Sequence, residues 1–368
     1  MIRRLTAIAV LIAALAACSG GGAPDKTHSR PSSPTPTPAR PSLSAGVWVD
    51  TPMGTGVMGS VVATAPDDAW ALGGGEFGPL FAHWDGRVWR PARLPEGARS
   101  PGVLSGTSAD DVWLFDDDMT VWRWDGRRWS RRERPPCPPS AILRTAVATT
   151  GGQVWVAGYL DPPDGPSTEF LARWSGASWS SVPSPSGLRF HRLRAAAPDD
   201  VWALAWRADD SDAIERWDGH GWRPVPLPAS LDGAKVYLYD VAPVSGREAW
   251  VAGSYLRQEG SQAALLMRWD GERWTTAAGV PAGTIGFGRV AADGHGGVWL
   301  GAQSGHDSNP HILLHFDGRS WMYEKAPRVH DSQSVSAFAR IPGGDRMIAV
   351  GGNPSYDEDS QAWIWTRR

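Results

Sequence analysis

Short apolar stretches separated by turn residues recur along the chain from residue 45 onward. In the copy at residues 191–226, apolar and small residues fall into four stretches bounded by Pro, Asp and Gly. These stretches predict four short strands, near Arg192 to Ala197, Val201 to Ala205, Ala213 to Trp217, and from Trp222 onward. The Gly that follows Asp before the fourth strand supplies the positive φ of a tight turn. Each unit is therefore predicted to be a four-stranded antiparallel sheet.

Tryptophan marks two positions of this repeat. The first register is Val or Ala followed by Trp, in steps of 42 to 49 residues, with isoleucine in the seventh copy: Trp70, Trp113, Trp155, Trp202, Trp250, Trp299 and Ile348. The second register has the pattern Trp-Asp-Gly-x-x-Trp, with its aromatic members five positions apart: Trp84 and Trp89, Trp124 and Trp129, Trp174 and Trp179, Trp217 and Trp222, Trp269 and Trp274, Phe316 and Trp321. A period of this length with four strands per copy is typical of a β-propeller, in which each copy forms one blade.

The two ends of the repeat region complete one another. The seventh copy stops at Trp365–Arg368 before its fourth strand, whereas Gly46–Asp50 has the pattern of the final strand of a repeat. We therefore expect the strand at Val47 to Asp50 to pair with the last copy and close the ring. The predicted fold is all-β: a seven-bladed β-propeller of four-stranded antiparallel blades over residues 45–368, with its last blade closed by the N-terminal strand.

The repeated motifs resemble those of secreted bacterial, actinomycete-type propeller lipoproteins, which are related in shape to the kelch, sialidase-repeat and WD-repeat families. The resemblance covers residues 45–368. Trp-Asp-Gly lacks the residue that separates Asp from Gly in the sialidase Asp-box, and the kelch Gly-Gly pair occurs only at 73–74 and 351–352. The resemblance thus implies the propeller fold and carries no family activity with it.

Composition agrees with a β-rich globular chain. The 368 residues include 22 Trp, 43 Gly and 31 Pro, which suits short strands joined by tight turns and argues against a helical protein. With Trp365 and Trp48 counted as the second-register positions of the seventh copy, all the tryptophans except Trp122, Trp206 and Trp363 fall on repeat registers, so the repeat explains their number. The formal net charge of −3 gives no electrostatic reason to expect a nucleic-acid partner. We expect a monomer.

The N-terminal segment predicts export and a membrane anchor. Residues 1–18 combine two arginines, an apolar run too short to span a bilayer, and small residues. Leu15–Cys18 resembles a bacterial lipobox, which implies that the Cys18 thiol takes a diacylglycerol and holds the chain on the extracytoplasmic face of the cell membrane. Residues 19–44, rich in Pro, Ser and Thr, are expected to form a tether between the membrane and the propeller. This tether is either a plain spacer or one whose Ser and Thr side chains carry sugars. Cys137 is then left without a disulfide partner.

We expect any binding site on the propeller face that carries the loops between second and third strands. The first three of these loops separate the register tryptophans by 11 to 19 residues, and variable loops on a rigid scaffold are where binding usually occurs. Trp206, outside the registers, is predicted either to stack on a sugar or peptide or to extend the inner wall. The ligand-binding candidates are Trp206, Tyr159, Tyr255, Asp117, His306, His311 and Tyr356.

The sequence favours binding over catalysis. It contains no Gly-x-Ser-x-Gly motif or Cys/His arrangement, and no cofactor is expected. The acidic loops do not match a calcium-binding loop, and the five-residue separation of His306 and His311 is not a recurrent zinc spacing, so no metal is expected either. The preferred function is a non-catalytic binding or scaffold module for a glycan or envelope protein. The alternative is a glycan-active hydrolase or lyase whose carboxylates come from separate blade loops.

Overall fold

Antiparallel sheets of four strands follow one another along the chain in the computed structural model. The structure describes residues 41–162, 165–185, 187–304, 312–327, 333–353 and 361–368. All of these residues lie in the second of the two units into which the chain divides, residues 38–368. The sheets form seven blades, so the prediction of an all-β, seven-bladed propeller is confirmed.

The strand boundaries follow the predicted repeat closely. Two strands precede the first blade: Ser42–Leu43 (β1) and Trp48–Gly54 (β2). Blades 1 to 4 contain, four strands each, Gly56–Ala65 (β3), Asp68–Gly75 (β4), Gly78–Trp84 (β5), Trp89–Pro91 (β6), Pro101–Ser108 (β7), Asp111–Asp116 (β8), Val121–Trp124 (β9), Trp129–Arg132 (β10), Ile142–Thr149 (β11), Gln153–Leu160 (β12), Thr168–Trp174 (β13), Trp179–Val182 (β14), Arg189–Ala197 (β15), Asp200–Trp206 (β16), Asp212–Trp217 (β17) and Trp222–Pro224 (β18). Blades 5 to 7 contain Val236–Ser245 (β19), Glu248–Leu256 (β20), Gln262–Trp269 (β21), Trp274–Thr276 (β22), Thr284–Ala292 (β23), Val298–Ser304 (β24), Leu313–Phe316 (β25), Trp321–Tyr323 (β26), Ser334–Arg340 (β27), Met347–Gly352 (β28) and Ala362–Arg367 (β29). A 3-10 turn at Ala229–Leu231 is the only helical element of the described residues, among which no helix suits a membrane crossing.

The first strand of every blade lines a central channel. These seven strands contact one another in cyclic order, from β3 through β7, β11, β15, β19 and β23 to β27, and β27 returns to β3. The remaining strands of each blade extend outward by antiparallel pairing of consecutive strands. A closed ring of this kind has no free sheet edge between its first and last blades.

The N-terminal strand closes the ring, as expected. β2 pairs antiparallel with β29 and supplies the outer strand of blade 7, with Trp48 opposite Arg367. It extends beyond the predicted Val47 to Asp50, to Gly54. The indole of Trp48 donates a hydrogen bond of 2.9 Å to the fully buried carboxylate of Glu324. Because β2 runs almost directly into β3, blade 7 and blade 1 are joined by continuous chain.

One element of the fold has no counterpart in the sequence pattern. Within the stretch expected to be tether, β1 pairs in parallel with β26 and makes blade 6 five-stranded. The amide of Ser44 donates to the carbonyl of Tyr323 at 2.9 Å just after this pairing. Both contacts use main-chain groups and require no particular side chains. The pairing therefore leaves no apolar pattern in the sequence from which it could be predicted.

Tryptophans fill the wedges between neighbouring blades. Trp202 of blade 4 is fully buried and meets both second-register tryptophans of blade 5, with ring centroids 6.1 Å from Trp269 and 5.8 Å from Trp274. Trp155 of blade 3 meets Trp217 and Trp222 of blade 4 in the same way. Each first-register side chain therefore holds its blade against the next one, which explains why the two registers recur together.

The Trp-Asp-Gly turns lie on the face opposite the variable loops, which we call the lower face. The Asp218 carboxylate accepts hydrogen bonds from the amides of Gly221 and His220, at 2.8 and 2.9 Å, and these bonds lower its pKa to about 2. Gly219 has φ +91°, the left-handed conformation that the sequence predicts for this position. In blade 3, Ser175 takes the place of the aspartate.

Candidate functional site at the channel mouth

A ring of seven residues surrounds the channel near the face that carries the loops between second and third strands, here the upper face. In every first strand the pairing with the second strand skips at least one residue, as in a β-bulge, and bulges re-aim side chains. The residues skipped at the matching position of each blade, which we call the mouth ring, are Gly59, Gly102, Arg144, His191, Tyr239, Gly288 and Ser336. The ring lies eleven residues before the first-register tryptophan in six blades and twelve before Ile348 in the seventh.

The mouth ring is strongly asymmetric. Blades 6, 7, 1 and 2 contribute glycine or serine to it, whereas blades 3, 4 and 5 contribute Arg144, His191 and Tyr239, which we call the crescent. A Cβ atom at Gly59 would meet no neighbouring atom within 4 Å, whereas side chains of Asp117 and Gln303 lie next to Gly102 and Gly288. Large side chains of the ring itself therefore occupy one continuous side of the mouth, and the ring is open at Gly59.

Arg144 joins blade 3 to blade 4. Its guanidinium lies 4.1 Å from the ring centroid of Tyr159 and 5.6 Å from that of Trp206, which is cation–π range for both. Nη1 of Arg144 also forms a 2.8 Å ion pair with Oε2 of Glu169. Burial raises the pKa of Glu169, while the neighbouring Arg144 works in the opposite direction. The structure thus brings together two predicted residues, Tyr159 and Trp206, through an arginine that was not predicted.

Trp206 stands at the end of β16 with 36% of its surface exposed. The imidazole of His191 stacks on its indole at 4.3 Å and 19°, and the guanidinium of Arg189 lies 5.7 Å from its ring centroid. Nε2 of His191 is 3.5 Å from Oδ1 of Asp212. The indole is therefore held in place by packing while it remains accessible, a combination typical of aromatic anchors in binding sites.

Tyr239 completes the crescent in blade 5 with neutral groups. Its hydroxyl lies 3.3 Å from Oγ of Ser254, which also accepts a 2.9 Å hydrogen bond from the Gln262 amide. Ser254 is fully buried. This part of the mouth offers hydrogen bonding without charge, next to the cationic part formed by blades 3 and 4.

The other predicted residues on the upper face lie around this cluster. Tyr255 is the last residue but one of β20 and borders an open cavity of about 590 Å³ that Lys235 and Arg257 also line, on blade 5. Asp117 lies in the turn after β8, and its Oδ1 is 2.7 Å from where a Cβ atom of Gly102 would be. Partial burial and the adjacent Asp118 raise the pKa of Asp117. Cys18, His306, His311 and Tyr356 lie outside the described residues.

Sequence reasoning missed the crescent because no local motif marks a bulge. Arg144, His191 and Tyr239 are three different residue types in three different repeats, and no recognisable sequence motif surrounds any of them. The available signal was their constant eleven-residue distance from the register tryptophan, which aligns them in space once the propeller is assumed. Within the described ranges, no three His, Cys, Asp or Glu side chains form a group suited to a metal ion.

Sequence comparison finds a distant relative and no family. No protein-family model matches the chain. The immune protein Tsi7 of Pseudomonas aeruginosa is 23% identical over 160 residues, which span 41% of this chain and 45% of Tsi7. The match thus spans less than half of that relative.

Two solved structures are similar over most of the chain. The structure of YCF48 bound to D1 peptide has a TM-score of 0.61 and 16% identity, and the similarity covers 89% of this chain and 99% of YCF48. The GH74 xyloglucanase of Xanthomonas campestris has a TM-score of 0.58 and 15% identity, covering 86% of this chain and 55% of the enzyme. At these identities the likeness shows the fold alone.

Proposed function

We propose that this protein is a membrane-anchored, extracytoplasmic propeller that binds a glycan or an envelope protein at its channel mouth without chemically changing it. The observation that carries the proposal is the asymmetry of the mouth ring. Three consecutive blades concentrate Arg144, His191 and Tyr239 beside the accessible indole of Trp206, whereas four blades leave glycine or serine. The fold needs no large residue at these positions, since glycine serves equally well in three other blades.

The side chains of this cluster suit recognition. Tryptophan, tyrosine and arginine dominate the energetics of binding sites, because they offer large contact areas and directional polar groups. Here Arg144 is held by Glu169 and Tyr159, and Trp206 by His191, so a ligand would find them already ordered. Ordering before binding reduces the conformational entropy lost when the ligand arrives.

The similar proteins are compatible with a binding function but do not distinguish it from an enzymatic one. A peptide is bound to one propeller of similar shape, and the name of Tsi7 as an immune protein fits a binding role. The xyloglucanase fits an enzymatic role on the same scaffold. Propellers host many unrelated functions, so the choice between binding and catalysis must rest on the site itself.

Binding is tested by capture of envelope material and by a glycan array, using the full-length protein and its Trp206→Ala and Arg144→Gln variants. We expect each substitution to weaken capture at least about tenfold, because each removes a central anchor. Phe77→Ala is the matched control, since Phe77 is an exposed aromatic residue on the upper face of blade 1, outside the crescent. Capture that survives both crescent substitutions unchanged would exclude this site.

The enzymatic alternative rests on two carboxyl groups from different blades. Asp117 and Glu169 both have pKa values raised by burial, as a general acid requires. The same glycan array decides between the two functions. Release of sugar by the wild type, abolished in Glu169→Gln, would establish catalysis, whereas retention of intact glycan supports the binding module.

The membrane anchor is a separate part of the proposal, supported by the lipobox-like residues Leu15–Cys18. Two or more acyl chains on Cys18 would give stable membrane attachment, at about 0.8 kcal/mol for each buried CH₂ group. We expect a palmitate analogue fed to cells to label the wild type and not Cys18→Ser. Label that persists in the variant, or never appears in the wild type, contradicts the anchor.

A further inference from the structure

Three arginines lie around one aspartate on the first strands, next to the crescent: two are within ion-pair distance of its carboxylate, and the third, Arg289, acts on it electrostatically while donating hydrogen bonds to the carbonyls of Gly288 and Ser336. Arg192 and Arg194 come from β15 of blade 4, Arg289 from β23 of blade 6, and Asp240 from β19 of the blade between them. Nε of Arg192 lies 3.3 Å and Nη2 of Arg194 lies 3.4 Å from Oδ1 of Asp240. The Asp240 side chain is only 2% exposed, whereas that of Arg194 is 35% exposed.

The fold does not require charged side chains at the strand positions that this cluster occupies. Three members of the cluster, Arg192, Asp240 and Arg289, directly follow the mouth ring in their strands. At the same position in blades 1 and 3, the hydroxyl groups of Ser60 and Thr145 accept a hydrogen bond from the next first strand. Asp240 accepts the corresponding bond from the amide of Val290. A neutral hydroxyl therefore suffices to join neighbouring blades.

The cluster is also unbalanced in charge. Three guanidinium groups face a single carboxylate, and arginine stays protonated under almost all conditions. Burial lowers the pKa of Arg192 to about 9; Asp240 opposes this change, and the like charges of Arg194 and Arg289 add to it. Buried Nε of Arg192 has no hydrogen-bond acceptor of proper geometry among the described residues. Uncompensated buried charge is costly, and a bound anion would relieve that cost.

We propose that Arg192, Arg194 and Arg289 form an oxyanion-binding subsite that receives an acidic group of the ligand held at the channel mouth. The inference rests on the proposed binding function and defines the chemistry of its ligand. Planar guanidinium groups present paired N–H donors that match the oxygens of a carboxylate or a phosphate. At the mouth, Arg144 and Arg189 are each paired with a carboxylate, that of Glu169 and that of Asp210. The excess of positive charge therefore lies at the three-arginine cluster itself, although the whole chain carries a net charge of −3.

Calorimetric titration of the full-length protein in detergent with inorganic phosphate, and separately with succinate, tests the subsite and distinguishes the two acidic groups. We expect at least one of the anions to bind, and Arg194→Gln to weaken that binding about tenfold, as for loss of a charged hydrogen bond. The Arg194 side chain is more exposed than that of Arg192, 35% against 22%, so its replacement is expected to perturb folding less. Arg216→Gln, which removes an equal charge from blade 4 at a guanidinium paired with Asp200 outside the channel, is expected to bind like the wild type.

Asp240→Asn separates a binding role from a structural one. Removing the carboxylate leaves more uncompensated positive charge, so phosphate or succinate should bind about tenfold more tightly and raise the melting temperature more than in the wild type. A purely structural cluster predicts destabilisation without any anion dependence.

The absence of anion binding by the wild type, or binding that Arg194→Gln leaves unchanged, overturns the subsite. If envelope capture still depends on Trp206 in that case, the proposed binding function stands without the oxyanion-binding subsite. Conversely, anion binding without any envelope capture supports the subsite and contradicts the proposed function.

Discussion

Removal of residues 41–54 is expected to destabilise the propeller by more than about 5 kcal/mol, since loss of one large buried aromatic side chain alone costs about 3–5 kcal/mol. The deletion removes β2, and with it the buried Trp48, which packs on Trp299 of blade 6 with ring centroids 5.6 Å apart. It also leaves β29 as an unpaired edge and takes the indole donor from the buried Glu324 carboxylate. Guanidinium denaturation measures the loss.

The matched control removes residues 19–40 and retains both N-terminal strands. Its free energy of unfolding is expected to equal that of the wild type, because the deleted residues precede β1. Similar unfolding of the two deletion variants would contradict closure by β2. Trp48→Ala in the intact chain should fall between the wild type and the 41–54 deletion, since it keeps the main-chain pairing.

Trp202→Ala is expected to destabilise the protein by about 3–5 kcal/mol, the usual cost of truncating a buried aromatic side chain. The indole is fully buried between blades 4 and 5, so its removal opens a cavity against Trp269 and Trp274. It also removes the 2.9 Å hydrogen bond from Nε1 of Trp202 to Oδ1 of Asp200. The shift in the midpoint of guanidinium denaturation gives the effect.

Trp206→Ala provides the comparison, because the same residue type is removed four positions later in the same strand. Trp206 is partly exposed, so the substitution is expected to cost less than about 1 kcal/mol, as for surface positions. The two variants should thus lose different properties: Trp202→Ala loses stability, and Trp206→Ala loses capture of the ligand. Equal destabilisation would show that Trp206 belongs to the core.

The blades could be predicted from the sequence because their determinants are local and repeated. The Trp-Asp-Gly turn forms within six residues, with Asp218 and Gly219 each performing a role that is visible in the sequence. The wedge between blades was also predictable, since the first-register tryptophan has a fixed place on a strand. Closure by β2 could be predicted because the seventh repeat lacks its fourth strand, whereas an extra strand precedes the first repeat.

The candidate site was only partly predictable, since it depends on distances across the ring. Tyr159 and Trp206 were predicted because the sequence places them with the variable loops of one face, and Trp206 also because it lies outside the tryptophan registers. Arg144, His191 and Tyr239 become neighbours because three register shifts occur at one level of the channel. A register shift depends on how two strands pair, and one strand's residue pattern does not show it.

Ring closure has a consequence for the order in which the protein folds. β2 precedes every blade in the chain, yet its partner β29 follows the other strands of all seven: Asp50 and Trp365, which share a hydrogen bond, are 315 residues apart. Blades 1 to 6 can form from local hairpins as the chain emerges, but Trp48 has no place to pack as it does in the folded ring until β29 has been made. Pairing of this tryptophan-bearing strand with β29 is therefore expected to be a late and slow step of folding.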